Sequence, residues 1–195
     1  MADVSRLLAS AARWQEKFHE PLPLGAKARL SIVTCMDSRI IPEQIFELRV
    51  GDAEIIRNAG GRVTEDVVRS LTVAQEILKT RTIFVIHHTD CGGMHAVQRH
   101  KELISVMVHH LGFFLGSILR FLDFFKLTSL LLKPINPTSG GLVDSVVDDI
   151  TALKRHPLIP ADIEMYGFVY STDDGSLKQV AKHVPRGVKD VRHMS

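Results

Sequence analysis

Thr82-Ile83-Phe84-Val85-Ile86-His87-His88-Thr89-Asp90-Cys91-Gly92-Gly93 is the stretch on which the fold turns. Its opening run is β-branched and aromatic without interruption, which is how a strand buried on both faces of a sheet reads. A polar cluster follows, and in it stands one of only 2 cysteines in 195 residues. The other cysteine has the same setting. Arg29-Leu30-Ser31-Ile32-Val33-Thr34 reads as a buried strand, and it delivers Cys35-Met36-Asp37-Ser38-Arg39 to the loop at its carboxyl end.

Working outward, Pro42 suits the first position of a short turn or helix. A further strand, Ala53 to Arg57, runs into Asn58-Ala59-Gly60-Gly61. Thr64 can cap a helix that has Asp66 in its first turn and continues through Leu71, Ala74, Ile77 and Leu78. A helix from Val143 to Lys154 and the break Pro157-Leu158-Ile159-Pro160 precede a last strand, Ile163 to Tyr170. Strands alternating with helices predict an α/β fold with a mainly parallel central β-sheet flanked by helices. Ligands in such folds bind outside the carboxyl ends of the strands, where both cysteine clusters and the Asn58 to Gly61 loop fall. No repeat or low-complexity linker divides the sequence, so one domain over residues 1–195 is expected.

Net charge is only +2 and the basic residues are scattered, which sets nucleic acid aside as a partner. Two cysteines cannot staple a fold of this size, and the start lacks a secretory signal, so a reducing, cytoplasmic setting is expected. Val4, Leu7, Leu8, Ala11, Trp14 and Phe18 recur at helical spacing, predicting an amphipathic helix. It lies either over its own core or on a partner subunit. Residues 103–132 are far more apolar than their surroundings. A membrane span needs about 20 mostly apolar residues, but His109, His110, Arg120, Asp123 and Lys126 interrupt this stretch. A buried or subunit-interface helix is expected rather than membrane association, with translated non-coding sequence a further reading.

A lone buried cysteine is usually a small hydrophobe, and a lone histidine at a strand end is usually just hydrogen-bonded. Here Cys35, His88 and Cys91 stand together at adjacent strand ends, and three such ligands with one open position make a catalytic zinc site. A Cys35–Cys91 disulfide would need an oxidising setting. Two residues separate His88 from Cys91, so a tight turn can wrap both around one ion, whereas His87 points to the other face of its strand. His87, His95 and His100 are candidate proton carriers, or ordinary core and surface histidines. Asp37 can accept a hydrogen bond from a zinc-bound water and orient it, while Arg39 holds that carboxylate off the metal. If Arg39 lets go, Asp37 can close the site as fourth ligand. Two thiolates cancel the charge of zinc(II), so activity should improve toward alkaline pH.

These residues resemble the β-class carbonic anhydrases. The Cys-x-Asp-Ser-Arg motif of that family stands at Cys35 to Arg39, and its His-x-x-Cys motif at His88 to Cys91. Gly51-Asp52-Ala53 and Arg57-Asn58-Ala59-Gly60-Gly61 resemble the family pattern too, and the likeness resumes from Ser145 to Tyr170. The resemblance implies reversible hydration of carbon dioxide to bicarbonate and a proton, by attack of zinc-bound hydroxide. It implies Cys35, His88 and Cys91 as zinc ligands and Asp37 with Arg39 as catalytic dyad. Ala59 would line the carbon dioxide pocket, and the Gly92 amide would anchor a bicarbonate oxygen. A homodimer or homotetramer is implied as well, with amino-terminal helices wrapped around the neighbour.

The chain departs from the family pattern in three places. The apolar segment 103–132 replaces a shorter, more polar stretch, Val147-Asp148 stands where relatives often carry Arg-Glu, and Ile32 stands where some bacterial members carry a tryptophan that helps hold regulatory bicarbonate. Two other functions stay open: hydrolysis of carbon disulfide or carbonyl sulfide, and a zinc-binding paralogue that no longer catalyses and uses the apolar segment for interaction.

Overall fold

A computed structural model describes residues 2–17, 21–93 and 141–185. The elements in chain order are helix α1 (Val4–Lys17), strand β1 (Leu30–Cys35), a short helix α2 (Pro42–Ile45), β2 (Ala53–Asn58), a 3-10 turn (Ala59–Gly61), α3 (Glu65–Glu76), β3 (Thr82–His88), α4 (Gly141–Arg155), β4 (Glu164–Tyr170) and β5 (Leu177–His183). They build one five-stranded sheet in the order β2-β1-β3-β4-β5. β2, β1, β3 and β4 run parallel, and β5 returns antiparallel to β4. The α/β class and the mainly parallel sheet are as the sequence predicts. The expectation that the strand ending at Tyr170 is the last one is corrected by β5, whose residues include Lys178, Gln179 and Lys182. Charged and polar residues are usual on an edge strand, because they discourage pairing with another chain.

Alternation along the strands sorts the core into two faces. Val33, Ile83, Val85 and Met165 pack beneath Val67, Val68 and Leu71 of α3 and Ile150 and Leu153 of α4. On the opposite face Leu30, Ile32 and Ile86 are buried, with Phe46, Ile55, Phe84, Phe168 and Tyr170 half-buried around them. The Thr64 hydroxyl accepts from Val67 N at 3.4 Å and caps α3, and Pro42 opens α2, both at the predicted positions. α4 lies so close to β4 that a Cβ on Gly167 would stand 2.4 Å from Val146 Cγ1 and 3.0 Å from Ala181 Cβ.

On α1 the apolar residues Val4, Leu7, Leu8 and Trp14 stay exposed. Among the described residues, nothing of the chain's own core covers this face. No described helix is long and apolar enough to cross a membrane. The apolar segment 103–132, His95 and His100 lie outside the described residues, and so does Phe18.

Strand order places the site. β1 leads to β2 on one side, and the chain then crosses back through α3 to enter β3 on the other side of β1. The carboxyl ends of β1 and β3 therefore flank the point where the winding reverses, which is the crevice that α/β sheets offer to ligands.

Candidate metal centre

β1 ends at Cys35 and β3 ends at His88, and a short loop carries the chain from His88 to Cys91. All three residues are buried. The loop after β1 is fixed by Arg57 of β2, whose Nε donates to Cys35 O at 3.0 Å and whose Nη2 donates to Asp37 O at 2.6 Å and Ile40 O at 2.9 Å. The 3-10 turn packs from behind. Gly61 has φ +66°, and a Cβ there would come within 2.8 Å of Cys35 N and 3.0 Å of Ile86 O, so only glycine fits. Asn58 closes the turn by donating from Nδ2 to Arg62 O and accepting from Arg62 N. Thr89 N donates to Tyr170 O at 3.0 Å and fastens the β3 loop to the end of β4.

One ligand atom from each of Cys35, His88 and Cys91 lies within 4.8 Å of the others. The sulfurs are 3.9 Å apart and both cysteines are free thiols, so the disulfide reading is set aside. Two sulfurs at zinc–sulfur bonds of about 2.3 Å in a tetrahedron stand about 3.8 Å apart, close to the spacing found. His88 Nδ1 donates to Thr89 O at 2.8 Å, which leaves Nε2 as the lone-pair nitrogen. That Nε2 is buried and makes no hydrogen bond. A buried acceptor without a partner is costly, and a metal ion in the cluster would satisfy it. The Cys91 thiol outweighs burial at Cys35 and, with the nearby His88 ring and the backbone amides of Asp37 and Gly60, pulls its thiol down to about 4. Burial presses the His88 pKa down, but the adjacent Cys35 sulfur outweighs it and the net direction is up. Two sulfurs at that spacing and one imidazole whose Nε2 is left for the site make a donor set that fits zinc.

Asp37 and Arg39 meet beside the donors. Arg39 Nε donates to Asp37 Oδ1 at 3.0 Å and Nη2 to Asp37 Oδ2 at 2.8 Å, a two-pronged pairing. Arg39 N also donates to Asp37 Oδ1 at 2.9 Å. Hydrogen bonds from Arg39 hold the Asp37 carboxyl well below the usual carboxylate range, and those to Asp37 and Asp90 push the guanidinium up in turn. Sequence reasoning missed Asp90, which takes the remaining edge of Arg39: Nη1 donates to Asp90 Oδ2 and Nη2 to Asp90 O, both at 2.8 Å.

It also missed a buried network on the α4 side. His87 Nδ1 lies 2.7 Å from Ser145 Oγ and Nε2 lies 3.2 Å from Asp149 Oδ2. Asp149 in turn accepts from Arg62 Nε and Nη2 at 2.9 Å and from Val63 N at 3.0 Å. His87 does face away from the donors' side of the strand, but both its nitrogens are engaged and it is buried. That arrangement fits a structural brace and not a carrier of protons to solvent. A narrow crevice opens between this network and the donors, lined by Gly60, Arg62, His87, His88, Cys91, Leu142 and Ser145. Ala59 and Gly92 are the chain neighbours of two of its wall residues, and the Gly92 Cα faces open space.

Comparison with known proteins agrees with this site. The family model for carbonic anhydrase matches residues 30–177. The chain is 32% identical over 178 residues to Beta-carbonic anhydrase 1 of Mycobacterium tuberculosis, covering 89% of this chain and 94% of that protein. It is 33% identical over 162 residues to a carbon disulfide hydrolase of Saccharolobus solfataricus, covering 77% of this chain and 76% of that one. The crystal structure of a carbonic anhydrase from Streptococcus mutans superposes with a TM-score of 0.66 at 34% identity, covering 93% of this chain and 99% of the other.

Proposed function

Because this chain belongs to the β-class carbonic anhydrase family, we propose that it catalyses the reversible hydration of carbon dioxide to bicarbonate and a proton. The observation that carries this reading is one juxtaposition: a Cys-His-Cys donor set and an Asp37–Arg39 pair at the carboxyl ends of adjacent strands β1 and β3. Cys35, His88 and Cys91 hold zinc, which supplies a Lewis acid able to make water nucleophilic near neutral pH. Asp37, kept ionised by Arg39, accepts a hydrogen bond from the attacking water and turns its lone pair toward the carbon of carbon dioxide. Arg39 restrains that carboxylate from joining the donors and offsets the negative charge that builds up as bicarbonate forms. Ala59 leaves room for the small substrate, and the Gly92 amide anchors a bicarbonate oxygen. Activity rises toward alkaline pH, because two thiolates neutralise the ion and weaken its pull on water.

The carbon disulfide hydrolase relative favours a second reading, hydrolysis of carbon disulfide or carbonyl sulfide at the same site. The paired Asp37 and Arg39 speak against a paralogue that binds zinc without catalysing. The protein works in the cytoplasm as a homodimer or homotetramer, its exposed α1 stripe seated on a neighbouring copy.

Stopped-flow carbon dioxide hydration on zinc-quantified protein, beside Asp37→Ala, tests the assignment. The parent is expected to hydrate carbon dioxide and the variant to lose about 100-fold or more with its zinc retained. A parent that carries zinc, ignores carbon dioxide and hydrolyses carbon disulfide would move the assignment to the second reading.

A further inference from the structure

The Arg39 guanidinium has two carboxylate partners, and they approach it from different loops. Asp37, on the loop after β1, takes the Nε and Nη2 edge. Asp90, on the loop after β3, takes Nη1 with its carboxylate and Nη2 with its backbone carbonyl. Only Nη2 is shared, so the two acidic residues do not displace each other. Arg39 is 44% exposed and Asp90 56% exposed. An arginine this exposed gains little from any single ion pair and gives up rotamer freedom to make it, so one partner alone would hold it loosely. A second anchor on a separate loop fixes the plane of the guanidinium as well as its position. The backbone at Asp90 is left-handed, with φ +51°, a conformation that aspartate and asparagine tolerate better than most residues. That turn aims both the carboxylate and the carbonyl of the same residue at Arg39.

We propose that Asp90 is a positioning residue: it clamps Arg39 from the β3 loop, and through Arg39 it keeps Asp37 turned away from the Cys35, His88 and Cys91 donors. The proposal rests on the role given above to the Asp37–Arg39 pair, but the geometry it asserts can be read without any turnover. Loss of Asp90 leaves Arg39 one-sided, Asp37 swings more freely, and the arrangement needed to orient water is populated less of the time.

The test uses the full, zinc-loaded chain with two variants. Asp90→Gly removes the carboxylate and accepts the left-handed backbone without strain, and Asp90→Asn keeps the shape and one acceptor oxygen but removes the charge. Hydrogen exchange at the Arg39 Nε–H, followed by nuclear magnetic resonance, reads the clamp directly. In Asp90→Gly that proton is expected to exchange about fivefold faster, with kcat/KM for hydration down about fivefold and zinc content and β1 and β3 amide exchange unchanged. Asp90→Asn is expected to fall between parent and Asp90→Gly. Arg39 Nε–H exchange equal to the parent's in both variants overturns the clamp, whatever the activity. A parent that binds zinc and hydrates nothing sinks the functional reading alone, since the exchange measurement still decides the role of Asp90.

Discussion

The free sulfurs of Cys35 and Cys91, 3.9 Å apart, share a setting in which the Cys35 thiol is pulled down to about 4. Zinc must still displace the Cys91 thiol proton and the proton that the raised His88 pKa favours on its ring, so affinity should weaken as pH is lowered. Protons compete with the ion for these donors as pH falls, and zinc is released, which a zinc-sensitive dye would record. Cys35→Ser and His88→Ala are each expected to leave the purified protein with a small fraction of the parent's zinc by atomic absorption, the folded chain otherwise retained. The donors and the Asp37–Arg39 pair were legible in the sequence because each motif is local and its residue types suit one chemistry. Asp90 was not, because nothing in the spacing says that a residue 51 positions from Arg39 faces it. The same blindness left His87 open between a proton carrier and an ordinary core histidine, and Ser145 and Asp149, far along the chain, hold both its nitrogens.

At the scale of elements, one charge and one missing side chain add to the apolar packing of Ile150 and Leu153 in seating α4 on the sheet. Asp149 joins His87 of β3 to Arg62 after the 3-10 turn, with side chains of Asp149 and Arg62 only 6% and 11% exposed. Burial works against its ionisation, but hydrogen bonds from His87 and Arg62 outweigh it and lower its pKa. A carboxyl whose folded pKa is lowered stabilises the fold fully above its unfolded value of about 3.9. That contribution is lost as pH falls through the lower folded value. Asp149→Asn should therefore cost about 3 kcal/mol in urea denaturation at pH 7, and the difference from the parent should shrink on acidification. Gly167→Ala forces a methyl against Val146 and Ala181 and should lower stability by about 1–3 kcal/mol in the same assay. Helices and inner strands were legible because their apolar period is strong, as in β3 and α3. β5 was not, since an edge strand with three of its seven residues exposed carries lysine and glutamine where a periodic signal would stand.

For the whole molecule, the sheet's aromatic face and the apolar stripe of α1 remain partly open to solvent. If a neighbouring copy covers α1, removing residues 2–17 should shift the protein to smaller species in sedimentation velocity, with zinc content kept. The winding reversal between β1 and β3 has a consequence in time as well as in space. Cys35 and Cys91 stand 56 positions apart in the sequence, with β2 and α3 between them. The donors are therefore scattered in the unfolded chain, and a metal site that closes so long a loop forms late in folding. An ion bound only by the finished site leaves the refolding rate unchanged and slows the escape from the native state. Chelation should thus speed unfolding in stopped-flow denaturation and leave refolding untouched, so that zinc sets how long this fold lasts once made.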